Sequence, residues 1–355
     1  MGYAATTLDQ KSLWWTSNRV SRRLKMVPWA ALCAIAVGGP AAAKPTYTAF
    51  DPPDSEYTIP NCINSSGVIA GYYHDKKRRS HGFVRAADGT ITEFDPPESW
   101  NTGPESINDG GSIAGYFVEG EIAHGFLRNA EGTIVTFDPE GSVGTAPTSI
   151  NVSGSIAGYY IDGNNVEHGF VRSADGTITT FDVQGWTVIN TYGINASGTI
   201  AGSYVANKGG PNGFVRSADG TMTTFDAPDA YSTIPQSIND DGTIAGIYYD
   251  NHRGAHGFVR DADGTFTEFD PPGSTGTFAT GINASASIVG NYGNTERVGI
   301  GFVRASNGNI KSFQFPKALT VAPAAINDAG VIAGTVQTRR GKKYTFYFHG
   351  FLRTP

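Results

Sequence analysis

INDDGTIAGIYYDNHRGAHGFVRDADGTFTEFDPP, running from Ile238 to Pro272, is the stretch that decides the fold. Its opening Ile-Asn pair recurs at Ile63, Ile107, Ile150, Ile194, Ile238, Ile282 and Ile326, spaced 44 or 43 residues apart. A regular period of roughly 40–45 residues is that of a four-stranded propeller blade. Turn chemistry divides the unit. Strand A ends on Ile-Asn, and Asp240, Asp241 and Gly242 then make a tight hairpin in which glycine supplies a positive φ. Strand B starts at Ile244 and a variable loop follows it. Strand C is His256 to Arg260, and Ala262-Asp263-Gly264 turns the chain into strand D, Thr265 to Asp270. Alternating apolar and polar residues, rich in Thr, Ile, Val and Phe, predict strands throughout.

The register is testable within the sequence. A three-residue Ala-Asp-Gly turn sets His81 opposite Asp95, His124 opposite Asp138, His168 opposite Asp182 and His256 opposite Asp270. In the sixth unit both partners change together, to Ile300 and Gln314, and in the fourth they are Asn212 and Asp226. This covariation predicts a cross-strand polar pair in each blade. The last unit stops at His349 to Pro355 without a strand D, while Thr46 to Pro53 is a strand D without a unit. An all-β, seven-bladed propeller uses both: residues 46–53 complete the C-terminal blade, pair His349 with Asp51 and remove the open edges.

These units resemble the HAF-repeat family of extracellular bacterial repeat proteins. The likeness covers residues 46–355 and lies in the Ile-Asn and Gly turn, the small-residue strand B and the His-x-Phe triplet. The family's triplet is usually His-Ala-Phe followed by Leu-Trp; here it is His-Gly-Phe followed by Val-Arg or Leu-Arg. The resemblance implies an extracellular or envelope location and transfers no catalytic residue.

Residues 1–43 differ from the repeats. Arg19, Arg22, Arg23 and Lys25 precede an apolar run from Met26 to Gly39, then Pro40 and three alanines. That layout predicts a secretory signal cleaved after Ala43, leaving residues 44–355 as one propeller domain without a transmembrane span. Export would place the protein in the periplasm, on the cell surface or outside the cell. Of the 32 acidic and 26 basic residues, one and five lie in the signal. The remaining chain carries a formal charge of −10, which disfavours nucleic acid as a partner. Cys62 is its single thiol, and no disulfide, metal or cofactor motif is present.

Most polar residues are repeat positions, and those read as structural. The five histidines with their aspartates form blade-building pairs rather than metal ligands. Arg85, Arg128, Arg172, Arg216, Arg260, Arg304 and Arg353 occur once per unit and are expected to staple blades, pairing with acidic groups of neighbours. Asn-x-Ser at Asn64, Asn151, Asn195 and Asn283 reads as turn chemistry, as does Asp261 to Gly264.

Function belongs where the units differ, on the face carrying the D–A and B–C loops. Its D–A loops hold Tyr57, Trp100, Trp186, Tyr231 and Phe278, candidate stacking platforms or loop anchors. Two B–C loops, adjacent once the ring closes, hold Lys76, Lys77, Arg78 and Arg79, and Arg339, Arg340, Lys342 and Lys343. These predict a basic patch and a binding or adhesion module for an anionic polysaccharide, lipid headgroup or protein. The other class is a propeller enzyme, a glycan hydrolase or lyase, which needs unlike residues converging on one cleft.

Overall fold

The Ile-Asn pair closes every A–B hairpin in one way. In the first blade, strand A (Tyr57–Ile63) leads to Asn64, whose N–H donates to the Val68 carbonyl at 3.0 Å, while the Gly67 N–H returns to the Asn64 carbonyl at 3.0 Å. The three-residue turn sets Gly67 at φ +81°. Five further blades place glycine there, at φ 75–84°, but the sixth uses Ala286 at φ 55°. The C–D turn follows the same logic. Ala86 N–H meets the Thr90 carbonyl, Gly89 N–H meets the Ala86 carbonyl, and Gly82 lies across from Phe94. That is the three-residue register, so His81 faces Asp95.

The computed structural model describes residues 44–183, 189–205, 210–296, 299–339 and 346–355. The predicted signal (1–43), Trp186, Arg340, Lys342 and Lys343 lie outside these residues. Six antiparallel four-stranded sheets follow in chain order over residues 57–94, 101–137, 142–181, 189–225, 230–269 and 276–313. The seventh is assembled from both ends of the chain. Its strands A (Thr320–Ile326), B (Ile332–Arg339) and C (Phe346–Thr354) accept Thr46–Phe50 as strand D, with Thr46 opposite Thr354 and Phe50 opposite Gly350. A single parallel bridge, Tyr57 to Phe348, joins this blade to the first. The fold is a closed β-propeller, as the sequence predicts. Among the described residues no helix is long and apolar enough to cross a membrane.

The core lies between blades. Phe83, Phe126, Phe170, Phe214, Phe258, Phe302 and Phe351 of strands C are fully buried, as are Ile69, Ile113, Ile156 and Ile200 of strands B. Each cluster joins consecutive sheets: Cys62 and Ala70 of the first pack with Ile107, Ile113, Phe117 and Phe126 of the second. At the closure, Phe50 and Ala333 of the seventh blade pack with Ile63, Ile69, Tyr73 and Phe83 of the first. Phe50 therefore seals the seam between two blades rather than packing within one.

A second seal runs around the turn face. The Asn64 side chain donates Nδ2–H to the Asn108 carbonyl at 3.2 Å, and Asn108, Asn151, Asn195, Asn239 and Asn283 each do the same to the next asparagine. Asn327 completes the circle on the Asn64 carbonyl at 3.0 Å. All seven are buried. Each Oδ1 accepts the N–H four residues on, at 2.9 Å.

Two outcomes test this architecture. Deleting residues 44–53 removes a strand and a buried Phe worth about 1.5–3 kcal/mol, and bares a sheet edge. The melting temperature should fall and sedimentation should show self-association, whereas Asp51→Ala alone should cost much less. Ala286→Gly relieves a left-handed alanine and should raise stability by roughly 0.5–1 kcal/mol in denaturant unfolding.

Candidate functional site

The recurrent polar side chains are held in contacts between strands and blades. His81, His124, His168, His256 and His349 each meet their aspartate through Nδ1, at 2.6–2.7 Å, and Asn212 donates to Asp226 at 2.5 Å. The other carboxylate oxygen accepts a threonine hydroxyl from strand A of the next blade: Thr58 to Asp51 at 2.6 Å, Thr102 to Asp95 at 2.5 Å, and Thr277 to Asp270. These three pairs therefore pin their D–A corners. In the sixth blade Ile300 is buried, and both polar atoms of Gln314 are buried with no partner among the described residues. His256, Glu268 and Asp270 bring three ligand-type atoms within 4.8 Å of one another, but His256 Nδ1 is already bonded to Asp270.

The seven arginines do staple blades, but by another chemistry than expected. Each guanidinium lies over the phenylalanine that ends strand D of the preceding blade: Arg85 over Phe50, Arg128 over Phe94, and so on to Arg353 over Phe313, at 4.6–5.0 Å from the ring centre. Nη1 donates to the following carbonyl, Ala86 in the first blade, at 3.2 Å. The expected acidic partner is replaced by an aromatic face because the site is desolvated. There a cation–π contact stabilises by about 0.5–2 kcal/mol, without a second charge to bury. Burial pulls the Arg85, Arg128, Arg172 and Arg304 guanidinium pKa values down.

The site that the repeat reading missed lies on the axis. Every strand A carries a register shift two residues before the Ile-Asn pair, such as that between Pro104 and Ser106. A bulged residue is left out of the ladder and its side chain is re-aimed. The seven are Asn61, Glu105, Thr148, Tyr192, Gln236, Thr280 and Ala324, and all line one axial cavity of about 510 Å³. Gly71 and its counterparts in strand B permit the bulge, since a Cβ on Gly71 would meet the Ile59 carbonyl oxygen at 2.2 Å.

Some of these residues hold neighbouring blades. Asn61 donates to the Pro104 carbonyl at 2.8 Å, Thr148 meets Thr191 at 2.8 Å, and Thr280 donates to the Pro323 carbonyl at 3.0 Å. Glu105 is different. Burial alone pushes its carboxyl up to about 7. Cys62, Tyr72, Tyr116 and Tyr159 face it from three blades, and each is pushed up, chiefly by burial. A signal was present in the repeat, since this strand A position reads Asn, Glu, Thr, Tyr, Gln, Thr, Ala, though the position two residues earlier varies as much, from Ile59 to Gly103 and Phe278.

On the loop face the predicted residues separate. Tyr57 stacks on Phe348, ring centres 4.9 Å apart, Tyr231 lies under Arg253 at 4.6 Å, and Phe278 is half-buried. Trp100 is 60% exposed. Of the first basic loop, Lys76 pairs with Asp54 at 3.3 Å and Arg79 grips Asp75 through Nε and Nη2 at 3.0 and 2.9 Å. Lys77 and Arg78 are exposed. Asn101, next to Trp100, accepts the N–H of Ser80, the residue that follows this loop, at 3.0 Å. Arg339 ends strand B of the seventh blade.

The sequence matches no family model and no curated protein. The fold is similar to that of an oligogalacturonate lyase in complex with manganese, with TM-score 0.61 and 11% identity over 88% of this chain and 96% of the lyase. It is also similar to TolB from Acinetobacter baumannii, with TM-score 0.51 and 13% identity over 69% of this chain and 63% of TolB. A prolyl endopeptidase gives TM-score 0.59 and 10% identity over 85% of this chain, which spans about half (51%) of that enzyme. At such identities the likeness establishes the propeller fold alone.

Glu105 yields a pH test. The folded state keeps its proton from the ordinary carboxyl range up to about pH 7, so stability falls as pH rises through that window. Glu105→Gln should raise the melting temperature at about pH 8 and leave it nearly unchanged near pH 4, where both side chains are neutral.

Proposed function

We propose that the protein is an exported, non-catalytic binding propeller whose loop face engages an acidic polysaccharide. One observation carries this reading: Trp100 is 60% exposed, and its neighbour Asn101 accepts the N–H of Ser80, the residue that follows the loop bearing the exposed cations Lys77 and Arg78. A flat aromatic stacks on a sugar ring while neighbouring cations meet its carboxylates, a pairing that suits an acidic glycan better than a lipid headgroup. Export rests on the layout of residues 1–43. The second reading, cleavage of a glycan, is favoured by the raised carboxyl of Glu105, which has the character of a general acid. Glycosidic hydrolysis uses a pair of carboxylates, and among the described residues lining the axial cavity Glu105 is the only one.

Retention on immobilised polygalacturonate should be lost progressively with salt, because exposed charges are screened beyond about 8 Å at physiological ionic strength. Trp100→Ala should weaken it about tenfold, equivalent to ~1.4 kcal/mol, and the double change Lys77→Ala, Arg78→Ala should flatten the salt dependence. Retention unaltered by both variants, or seen only on acidic lipid vesicles, overturns the glycan reading. Release of reducing ends from the polymer overturns the non-catalytic one. Protein recovered outside the cytoplasm with its N-terminus near Lys44 supports export.

A further inference from the structure

The loop face leaves the axis unexplained. A propeller of near-identical blades offers a place on its axis where side chains of different kinds converge, and here the seven bulges bring to it two amides, two threonine hydroxyls, a phenol, a methyl and one carboxylate. Its volume of about 510 Å³ falls in the range of small-ligand sites, roughly 300–1,000 Å³. Among the described residues no Lys, Arg or His lines the cavity, so Glu105 faces it without a counter-ion. At the turn face lies a second cavity of about 180 Å³, bounded by Asn64, Asn239, Asn283 and Asn327 of the asparagine ring and by Asp109, Asp240 and Asp328. These three carboxylates accept the N–H groups of Ser65, Ala196 and Ala284 at 2.8–2.9 Å, so they are held in place at the rim. Again no cation lines that cavity among the described residues. An acidic rim together with a single unpaired carboxylate selects for positive charge.

We infer that the axial cavity is a binding site for a small polyhydroxylated ammonium ligand, its ammonium paired with Glu105 and its hydroxyls with Gln236, Ser149 and Ser237. Tyr159 and Tyr192, also in the lining, add aromatic faces that favour an organic cation. A divalent metal fits poorly, since one carboxylate supplies too few ligands for calcium or magnesium. This site is separate from the polysaccharide surface and stands or falls independently of it.

The probes are D-glucamine and sorbitol, which differ by an ammonium in place of a hydroxyl, titrated calorimetrically into the full chain. Glucamine should bind at least about tenfold more tightly than sorbitol, and Glu105→Gln should bring the two within about twofold. The wild-type protein supplies a second readout without any substitution. Glucamine stays protonated through the neutral range while Glu105 ionises near 7, so its affinity should rise about tenfold from pH 6 to pH 8. The other groups facing Glu105, namely Cys62, Tyr72, Tyr116 and Tyr159, stay neutral across that window because burial raises each. No binding of either probe, equal affinities, a flat pH profile, or a glucamine preference that survives in Glu105→Gln would each overturn the assignment and leave the channel a solvent-filled axis.

Discussion

The circle of asparagine side chains is the constraint on which the ring depends. Each amide does two jobs at once, holding its own A–B turn through Oδ1 and the next blade's backbone through Nδ2. The Nδ2 bond is buried and cannot be handed to water, so an orphaned group there costs roughly 1–3 kcal/mol against a net gain of about 1 for a formed bond. Such a chain of donors stops at an unpaired group unless it closes. Asn327 donating to the Asn64 carbonyl is that closure, between residues 263 apart in sequence. Sharing strand D between the chain ends and closing the amide circle thus join the seventh blade to the first at two levels, one at the outer edge and one at the turn face.

The remaining repeat residues extend the same principle outward. Threonine, aspartate and histidine tie the D–A corner, and arginine lies on the phenylalanine of the blade before it. The arginine contact recurs at all seven seams, and the threonine contact is made at the corners of Asp51, Asp95 and Asp270. This accounts for the uniformity of the sequence and also removes these residues from contention as a ligand site. A histidine whose Nδ1 is held at 2.7 Å by an aspartate that also accepts a buried threonine hydroxyl belongs to the frame, as His349 with Asp51 and Thr58 shows.

Sequence carried the frame well because the frame is local and periodic. The turn glycines, the Ile-Asn period and the joint replacement of His and Asp by Ile300 and Gln314 determine strands, register and closure by counting alone. The partners of the arginines were out of reach. Phe50 and Phe94 read as ordinary strand residues, and only the angle between adjacent sheets brings a guanidinium over their rings. The partners of the first basic loop were out of reach for a related reason. Counting Lys76 to Arg79 as four charges ignored Asp75 and Asp54, which the chain folds onto two of them. The bulges were hidden because an extra residue in one strand leaves no mark in a repeat whose length stays constant.

The axial position then gains its meaning from the frame around it. A residue that seals a seam answers to its cross-strand partner and to the blade beside it, and equivalent seams call for the same residue, as the buried phenylalanines of strands C and the ring asparagines show. Lifting one residue per strand out of the ladder frees it from that demand. The bulge therefore converts a symmetric scaffold into a holder for an asymmetric set, with Glu105 and Ala324 at equivalent places. Asymmetry is what a small ligand requires, since its own groups are unlike and must each meet a different partner. Most sites in this fold cannot provide it without weakening a seam, whereas the axis can because strand A has no further strand on its inner side.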